Sequence, residues 1–200
     1  MFYAFYNDSP VGRLLMISDG LNLTGLQMNK QRYNQIASDW VQAENLPVFV
    51  RTKQWLNDYW QGKNPSLNGL PLKPQGSKFQ QKIWRILQTI PYGKYLTYGD
   101  ISKQVARECG KARMSAQAVG GAVGHNPICI IIPCHRVIGA NGNLTGYDGG
   151  VDKKVILLRH EGFDMTKFTM PKQKKESAHL SELFFAYSYK GLYLMIVSTL

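Results

Sequence analysis

The chain has 200 residues, 44% hydrophobic and 18% charged, with a net charge of +11. That leaves room for one large or two small domains and excludes a disordered or fibrous chain. Met1–Asp8 has no basic start and no long apolar run, and no unbroken apolar stretch of ~18 residues occurs, so neither a secretory leader nor a membrane span is expected. Cys109, Cys129 and Cys134 form no disulfide framework and no CxxC zinc pair. A reduced, cytoplasmic protein without metal or cofactor is expected.

The charge is unevenly spread. Residues 1–70 carry a net +1, residues 71–164 carry +7 and residues 165–200 carry +3. A nearly neutral first third beside a basic middle suggests two units, one of them meeting a polyanion. A solvated basic surface explains the same numbers.

In chain order, Met1–Tyr6, Gly12–Ser18 and Leu21–Met28 are β-leaning runs separated by turn residues, and predict a small antiparallel meander. Helices are expected over Gln31–Glu44 and Val50–Gln61, the second with Trp55, Tyr59 and Trp60 on its buried side. Gly62–Gly76, with three prolines and three glycines, is the expected linker. No catalytic grouping is visible before it, so residues 1–70 are expected to be a structural support.

The next unit, 71–164, opens with Ser77 and Gln80 spaced as a capping box, followed by Phe79, Ile83, Ile86, Leu87 and Ile90 on one helical face. Thr97–Asp100 caps a second helix reaching about Glu108, and Ser115 caps a third over Ala116–Gly124. Two short helices joined by a turn outline a helix-turn-helix. The third helix is built of Ala and Gly, although glycine costs up to ~1 kcal/mol per helical position. Either it packs closely on a neighbour, or a bulky ligand must approach its backbone.

An apolar run, Ile128–Ile132, is expected to be a strand delivering Pro133-Cys134-His135-Arg136-Val137. A cysteine beside basic groups is a candidate nucleophile, because only the thiolate attacks and neighbouring charge raises its population. In an extended chain Cys134 and His135 would point to opposite faces. Either the chain turns sharply there or a water bridges the pair; a buried structural cysteine is the plain alternative.

Asn126-Pro127 followed by Pro133–Val137 resembles the active-site signature of the O6-alkylguanine-DNA alkyltransferases. The likeness runs over Ser77–Gly162, through Ile90–Gly93, Thr97–Gly99, Ala118–Ala122, Thr145–Gly150 and Leu157–Gly162. Residues 1–70 share the length and element order of the family's first domain. The resemblance implies an α/β protein with a ribonuclease H-like N-terminal domain and a winged-helix-like, helix-turn-helix catalytic domain. It implies repair of duplex DNA containing O6-alkylguanine, with O4-alkylthymine a second candidate lesion, by a monomer that is consumed in one turnover.

Residue by residue, it implies that Cys134 takes the alkyl group. His135 accepts the thiol proton through a water, Glu161 orients His135, and Asn126 braces the adjoining turn. Tyr98, Val137, Tyr147 and Asp148 would bind the flipped guanine. Arg113, Ser115, Ala116, Gln117, Ala118, Gly120 and Arg136 would contact DNA, with α-helix 116–124 in the minor groove. Gln117 stands where many relatives carry an arginine finger, and the loop before it is longer than in short-loop members. Asp148 stands where relatives often have a small residue. A cysteine hydrolase, a non-transferring lesion binder and a DNA-binding regulator are the competing classes; a lesion binder would lack Cys134. The tail, 165–200, has no counterpart; its apolar stretch Leu180–Leu200 suggests an extra packed element or a frame-shifted end rather than a membrane anchor.

Overall fold

In a computed structural model, residues 1–28 and 36–171 are described. The N-terminal meander comprises β1 (Phe2–Tyr6), β2 (Leu14–Ser18) and β3 (Leu23–Gln27), with β2 antiparallel to both neighbours. The helix expected over Gln31–Glu44 is absent from its described part; residues 31–35 lie outside the described residues. Instead β4 (Val41–Gln42) pairs parallel with β1, giving the order β3-β2-β1-β4. The open edge of β1 decides this: Met1 and Tyr3 carbonyls accept the Val41 and Ala43 amides at 3.0 and 2.9 Å. Local helix preference is weak against a ready-made ladder.

Helix α1 (Pro47–Trp60) starts with proline in its first turn, where no amide partner is lost, and buries Phe49, Trp55, Leu56 and Tyr59. The linker expected over Gly62–Gly76 is tied down in part. Leu23 donates to Pro71 O at 2.8 Å and Lys73 donates to Leu23 O at 2.9 Å, so the chain docks on the free edge of β3.

The remaining helices are α2 (Lys78–Gln88), α3 (Tyr98–Glu108), α4 (Ala116–Gly124) and α5 (Val151–His160). Ser77 and Thr97 both make the reciprocal capping box, and Ser115 Oγ accepts the Ala118 amide at 3.3 Å. A cap contributes about 1 kcal/mol, whereas burying a large apolar side chain is worth roughly 1.5–3 kcal/mol. The caps therefore set the ends while Ile83, Trp84, Ile86 and Leu87 hold α2 in place. Trp84 also donates its indole N–H to Ala122 O at 2.9 Å, joining α2 to α4. Between α3 and α4, Ser102 Oγ donates to Met114 O and fixes the connecting loop.

A two-residue parallel pair, β5 (Leu96–Thr97) and β6 (Val137–Ile138), completes the mixed α/β architecture. One apolar cluster runs from Ala4 and Leu26 in the sheet, through Phe49 and Tyr59 in α1, to Ile83, Val119 and Ile132. The sheet and the helices thus share a core. Residues 172–200, including the apolar stretch Leu180–Leu200, lie outside the described residues. Among the described residues no helix is long and apolar enough to cross a membrane.

Candidate active site

Ile128–Ile132 is not a strand. The segment makes one bridge to β3, where Leu26 donates to Pro127 O at 2.8 Å and Cys129 donates to Leu26 O at 2.9 Å, and then coils into tight turns. Ile130 sits at φ +67°, a conformation a β-branched residue rarely adopts. Asn126 holds the coil from inside. Its amide donates to Ile132 O at 2.7 Å and Ile128 O at 3.3 Å, and its Oδ1 accepts the Ile128 amide at 3.1 Å. A buried side-chain amide has replaced the partner strand that an apolar run needs.

Cys134–Arg136 follows as one turn of 3-10 helix. The chain does turn sharply, yet His135 Nδ1 gains no partner from the turn, so the turn by itself makes no direct Cys134–His135 hydrogen bond. Cys134 is buried, 8% exposed, and Asn126 Nδ2 donates to its Sγ at 3.1 Å. Burial pushes the thiol up from its ordinary value, opposed by Asn126 and by the charge of Lys154. At neutral pH the resting group is therefore the thiol, and attack requires a base.

His135 is fully buried, with Nε2 2.7 Å from Glu161 Oε1. Against an ionised carboxylate Nε2 must carry the proton, which leaves Nδ1 as the basic atom; Nδ1 is buried and without a hydrogen-bond partner among the described residues. Burial lowers the His135 pKa, while the hydrogen bond and charge of Glu161 raise it again. The result is a neutral imidazole able to accept one proton.

Glu161 stands at the end of α5 with donors on both oxygens. Oε1 takes His135 Nε2, Tyr59 Oη at 2.9 Å and Arg136 Nη2 at 2.9 Å; Oε2 takes Arg136 Nε at 2.8 Å and the Gly93 amide at 3.3 Å. Burial opposes ionisation, yet these donors and the Arg136 charge hold the carboxyl at about 2.

Arg136, expected on DNA, is turned inward. Its guanidinium is buried against Glu161, and Nη1 donates to Ile90 O at 2.6 Å. A guanidinium with every arm engaged in the interior cannot reach a phosphate. The Tyr98 hydroxyl donates to the carbonyl of Gly146, a pocket-lining residue, at 3.0 Å; burial, then the nearby Cys134, push its pKa up to about 12. It is a firm donor. Tyr147 lines the pocket with Gly146, Gly149, Val123 and Cys129, and with Leu26 and Gln27 of β3 and the Met28 that follows it. The cavity volume is about 30 Å³. Asp148 is exposed at its rim and works slightly against thiolate formation. Val137 is fully buried, and its carbonyl accepts Lys154 Nζ at 2.6 Å.

On α4, Val119, Ala122 and Val123 face the core, whereas Ala116, Gln117 and Ala118 are exposed and Gly120 lies 3.8 Å, by its absent Cβ, from the Tyr98 ring. Added Cβ atoms at Gly121 and Gly124 would meet nothing within 4 Å. Close packing inside the chain therefore does not demand these glycines, and the open face suits an external surface that comes near the backbone. Ser115 caps this helix. Arg113 is exposed but lines a separate groove with Lys103, Arg107 and Lys111, beside Gly99.

Two residues of the site were not singled out from the sequence. Tyr59, expected only on the buried side of its helix, reaches Glu161 from 102 positions away, a pairing that no local signal marks. Lys154 is fully buried with Nζ on Val137 O and, at 3.3 Å, Thr145 O; burial brings it down to about 8. Its signal was available: Val151, Lys154, Val155 and Leu158 share one helical face, so a lysine stands in an apolar stripe. Lys154→Met should slow alkylation of Cys134 by iodoacetamide near neutral pH about three- to tenfold, because the thiolate loses the favourable charge of Lys154. Peptide mass measurement of Cys134 against exposed Cys109 checks this.

Residues 1–74 match the model of the 6-O-methylguanine DNA methyltransferase ribonuclease-like domain, and residues 78–163 match that of the 6-O-methylguanine DNA methyltransferase DNA binding domain. Methylated-DNA–protein-cysteine methyltransferase of Haemophilus influenzae is 41% identical over 161 residues, covering 80% of this chain and 86% of that protein. Its counterpart in Mycolicibacterium paratuberculosis is 43% identical over 165 residues, covering 80% and 95%. The crystal structure of Mycobacterium tuberculosis OGT in complex with DNA superposes with a TM-score of 0.68 at 38% identity, covering 84% of this chain and 95% of that one. With both halves matched in order, the chain belongs to the 6-O-methylguanine DNA methyltransferase family.

Proposed function

We propose that Cys134 is the acceptor in direct reversal of O6-alkylguanine damage, and that this chain is a methylated-DNA–protein-cysteine methyltransferase. The observation that carries the reading is a buried thiol held by Asn126, next to a neutral, carboxylate-anchored histidine, in a pocket beside the bare face of α4. Thiolate sulfur attacks the alkyl carbon; the S–C bond forms as the C–O6 bond breaks, and the electron pair leaves with guanine. His135 Nδ1 takes the thiol proton through a bridging water. Tyr98, its hydroxyl turned from Gly146 O, donates a hydrogen bond to the ring edge and steadies the departing guanine anion, which becomes neutral guanine by taking a proton from solvent. Val137 O and the backbone around Asp148 orient that base, with Tyr147 as a wall. A thioether has no leaving group that these residues could displace, so each molecule acts once.

The partner is duplex DNA with its target base flipped out, bound through α4 in the minor groove, where Ala116, Ala118 and Gly120 permit close backbone approach. The net +7 of residues 71–164 supplies the phosphate attraction. Three free cysteines suit a monomer in the reducing cytoplasm. The test is intact mass after incubation with DNA containing O6-methylguanine. One added methyl, on the peptide containing Cys134, supports the reading; repeated turnover of an acyl ester without a mass gain would point to a hydrolase.

Gln117 is the finger residue in this reading. It is exposed in the first turn of α4, and Arg113 lies in the other groove. A base flip costs a few kcal/mol, of which a charge-assisted hydrogen bond from arginine could recover about 1.5–3. Gln117→Ala should slow transfer from duplex DNA about threefold to tenfold, and Gln117→Arg should match or exceed the parent. Transfer from free O6-benzylguanine, which needs no flip, should be unchanged in both. Equal slowing on both substrates would instead mean a folding defect.

A further inference from the structure

We propose that Tyr59 is a positioning residue for alkyl transfer: its hydroxyl, delivered by α1, governs how strongly Glu161 draws on the His135 N–H. The proposal rests on the relay read above and extends it into residues 1–70, expected from the sequence to be support alone.

Three observations carry it. Tyr59 is 1% exposed, and its hydroxyl donates at 2.9 Å to Glu161 Oε1, the same oxygen that His135 Nε2 meets at 2.7 Å. The ring is clamped by its surroundings. Trp55 stacks on it at 5.5 Å between centroids, and Trp60 and His160 lie against it at 4.9 Å each. The Tyr59 backbone is tied to the same helix end, since its carbonyl meets His160 Nε2 at 2.6 Å. Side chain and main chain of one residue thus register α1 against His160 and Glu161 together. A space-filling aromatic would need neither polar contact.

The consequence follows from how a carboxylate divides its electron density. Each donor on Oε1 reduces what the oxygen offers to the next. Arg136 cannot be weakened without leaving a buried charge, and the Gly93 amide is fixed backbone; Tyr59 is the neutral donor whose strength can vary. The charged or titratable groups around the relay are Glu161 at the end of α5, Lys154 and His160 within it, Arg136 and Cys134 from the 3-10 turn, Tyr92 from the loop after α2, Tyr147, and Tyr59 itself. Removing the Tyr59 hydroxyl makes Glu161 a stronger acceptor for His135, so the imidazole holds a proton to higher pH. A protonated His135 cannot accept the thiol proton.

The experiment is the pH–rate profile for transfer from free O6-benzylguanine, which needs no DNA, on the full chain carrying Tyr59→Phe. A second protein carries 3-fluorotyrosine at position 59, a stronger donor of nearly the same shape that guards against a folding artefact. The acid limb should move to higher pH by about half to one unit in Tyr59→Phe and to lower pH in the fluorinated protein. Below the limb, Tyr59→Phe should transfer three- to tenfold more slowly than the parent. Thermal midpoints recorded alongside separate loss of folded protein from the shift. Profiles that superimpose on the parent, whatever the midpoints, overturn the proposal. His135→Gln reports on the underlying relay separately: an acid limb that survives it refutes the relay, whereas a limb that vanishes there but stays put in Tyr59→Phe refutes only the role of Tyr59.

Discussion

Cys134→Ser will transfer no detectable alkyl group in the time the parent protein reacts to completion, while keeping its fold and its affinity for DNA. Oxygen replaces one sulfur atom in a site that is 8% exposed, and Asn126 Nδ2 finds an acceptor in either case. The stability change should stay below ~1 kcal/mol, a shift of about 2–4 °C in thermal midpoint for a chain of this size. A serine hydroxyl is far less ionised than a thiol, and His135, neutral and with its pKa lowered by burial, is too weak a base to make an alkoxide. The measurements are intact mass with O6-methylguanine DNA and a binding isotherm on the same duplex. Methyl transfer to the Cys134→Ser protein would displace Cys134 from its role. Loss of DNA binding together with transfer would mean that the substitution had damaged the fold instead.

Glu161→Gln should cost both stability and rate. Five hydrogen bonds converge on this carboxylate, one donor being a buried guanidinium. An amide cannot accept on its nitrogen, so at least one donor meets another donor and Arg136 keeps a buried charge without its counter-charge. Breaking one member of such a pair costs roughly 3–5 kcal/mol, or about 6–20 °C in thermal midpoint. Transfer from free O6-benzylguanine should slow about a hundredfold, the scale of lost general-base assistance, without stopping, because a fraction of thiolate persists. A parental rate across pH would refute the relay.

The same residue predicts how stability follows pH. Glu161 titrates at about 2 in the folded protein and near 4.5 when unfolded. Its folded value is depressed, so its contribution is fully present above about pH 4.5 and is lost as pH falls from there through 2. The size is on the order of 3 kcal/mol. Urea unfolding at pH 6 and pH 3 should therefore show the parent losing more stability than Glu161→Gln does.

What the sequence determined by itself was whatever depends on neighbours along the chain. Ser77, Thr97 and Ser115 placed three helix starts because a cap needs only its own next three residues. The apolar spacing of Ile83, Ile86 and Leu87 placed the buried face of α2, and the order of short motifs around Cys134 placed the chemistry. Tertiary structure decided what depends on a distant partner. Val41 and Ala43 pair with the edge of β1 rather than continuing a helix, and Pro127 and Cys129 dock on Leu26 of β3. Arg136 faces inward because Glu161, 25 residues on, offers a buried counter-charge that no surface phosphate can match. Lys154 and Tyr59 joined the site in the same way. Their hydroxyl and ammonium groups had to satisfy hydrogen bonds after burial, and the acceptors available, Glu161 Oε1 and the carbonyls of Val137 and Thr145, exist only where the folded chain brings them together.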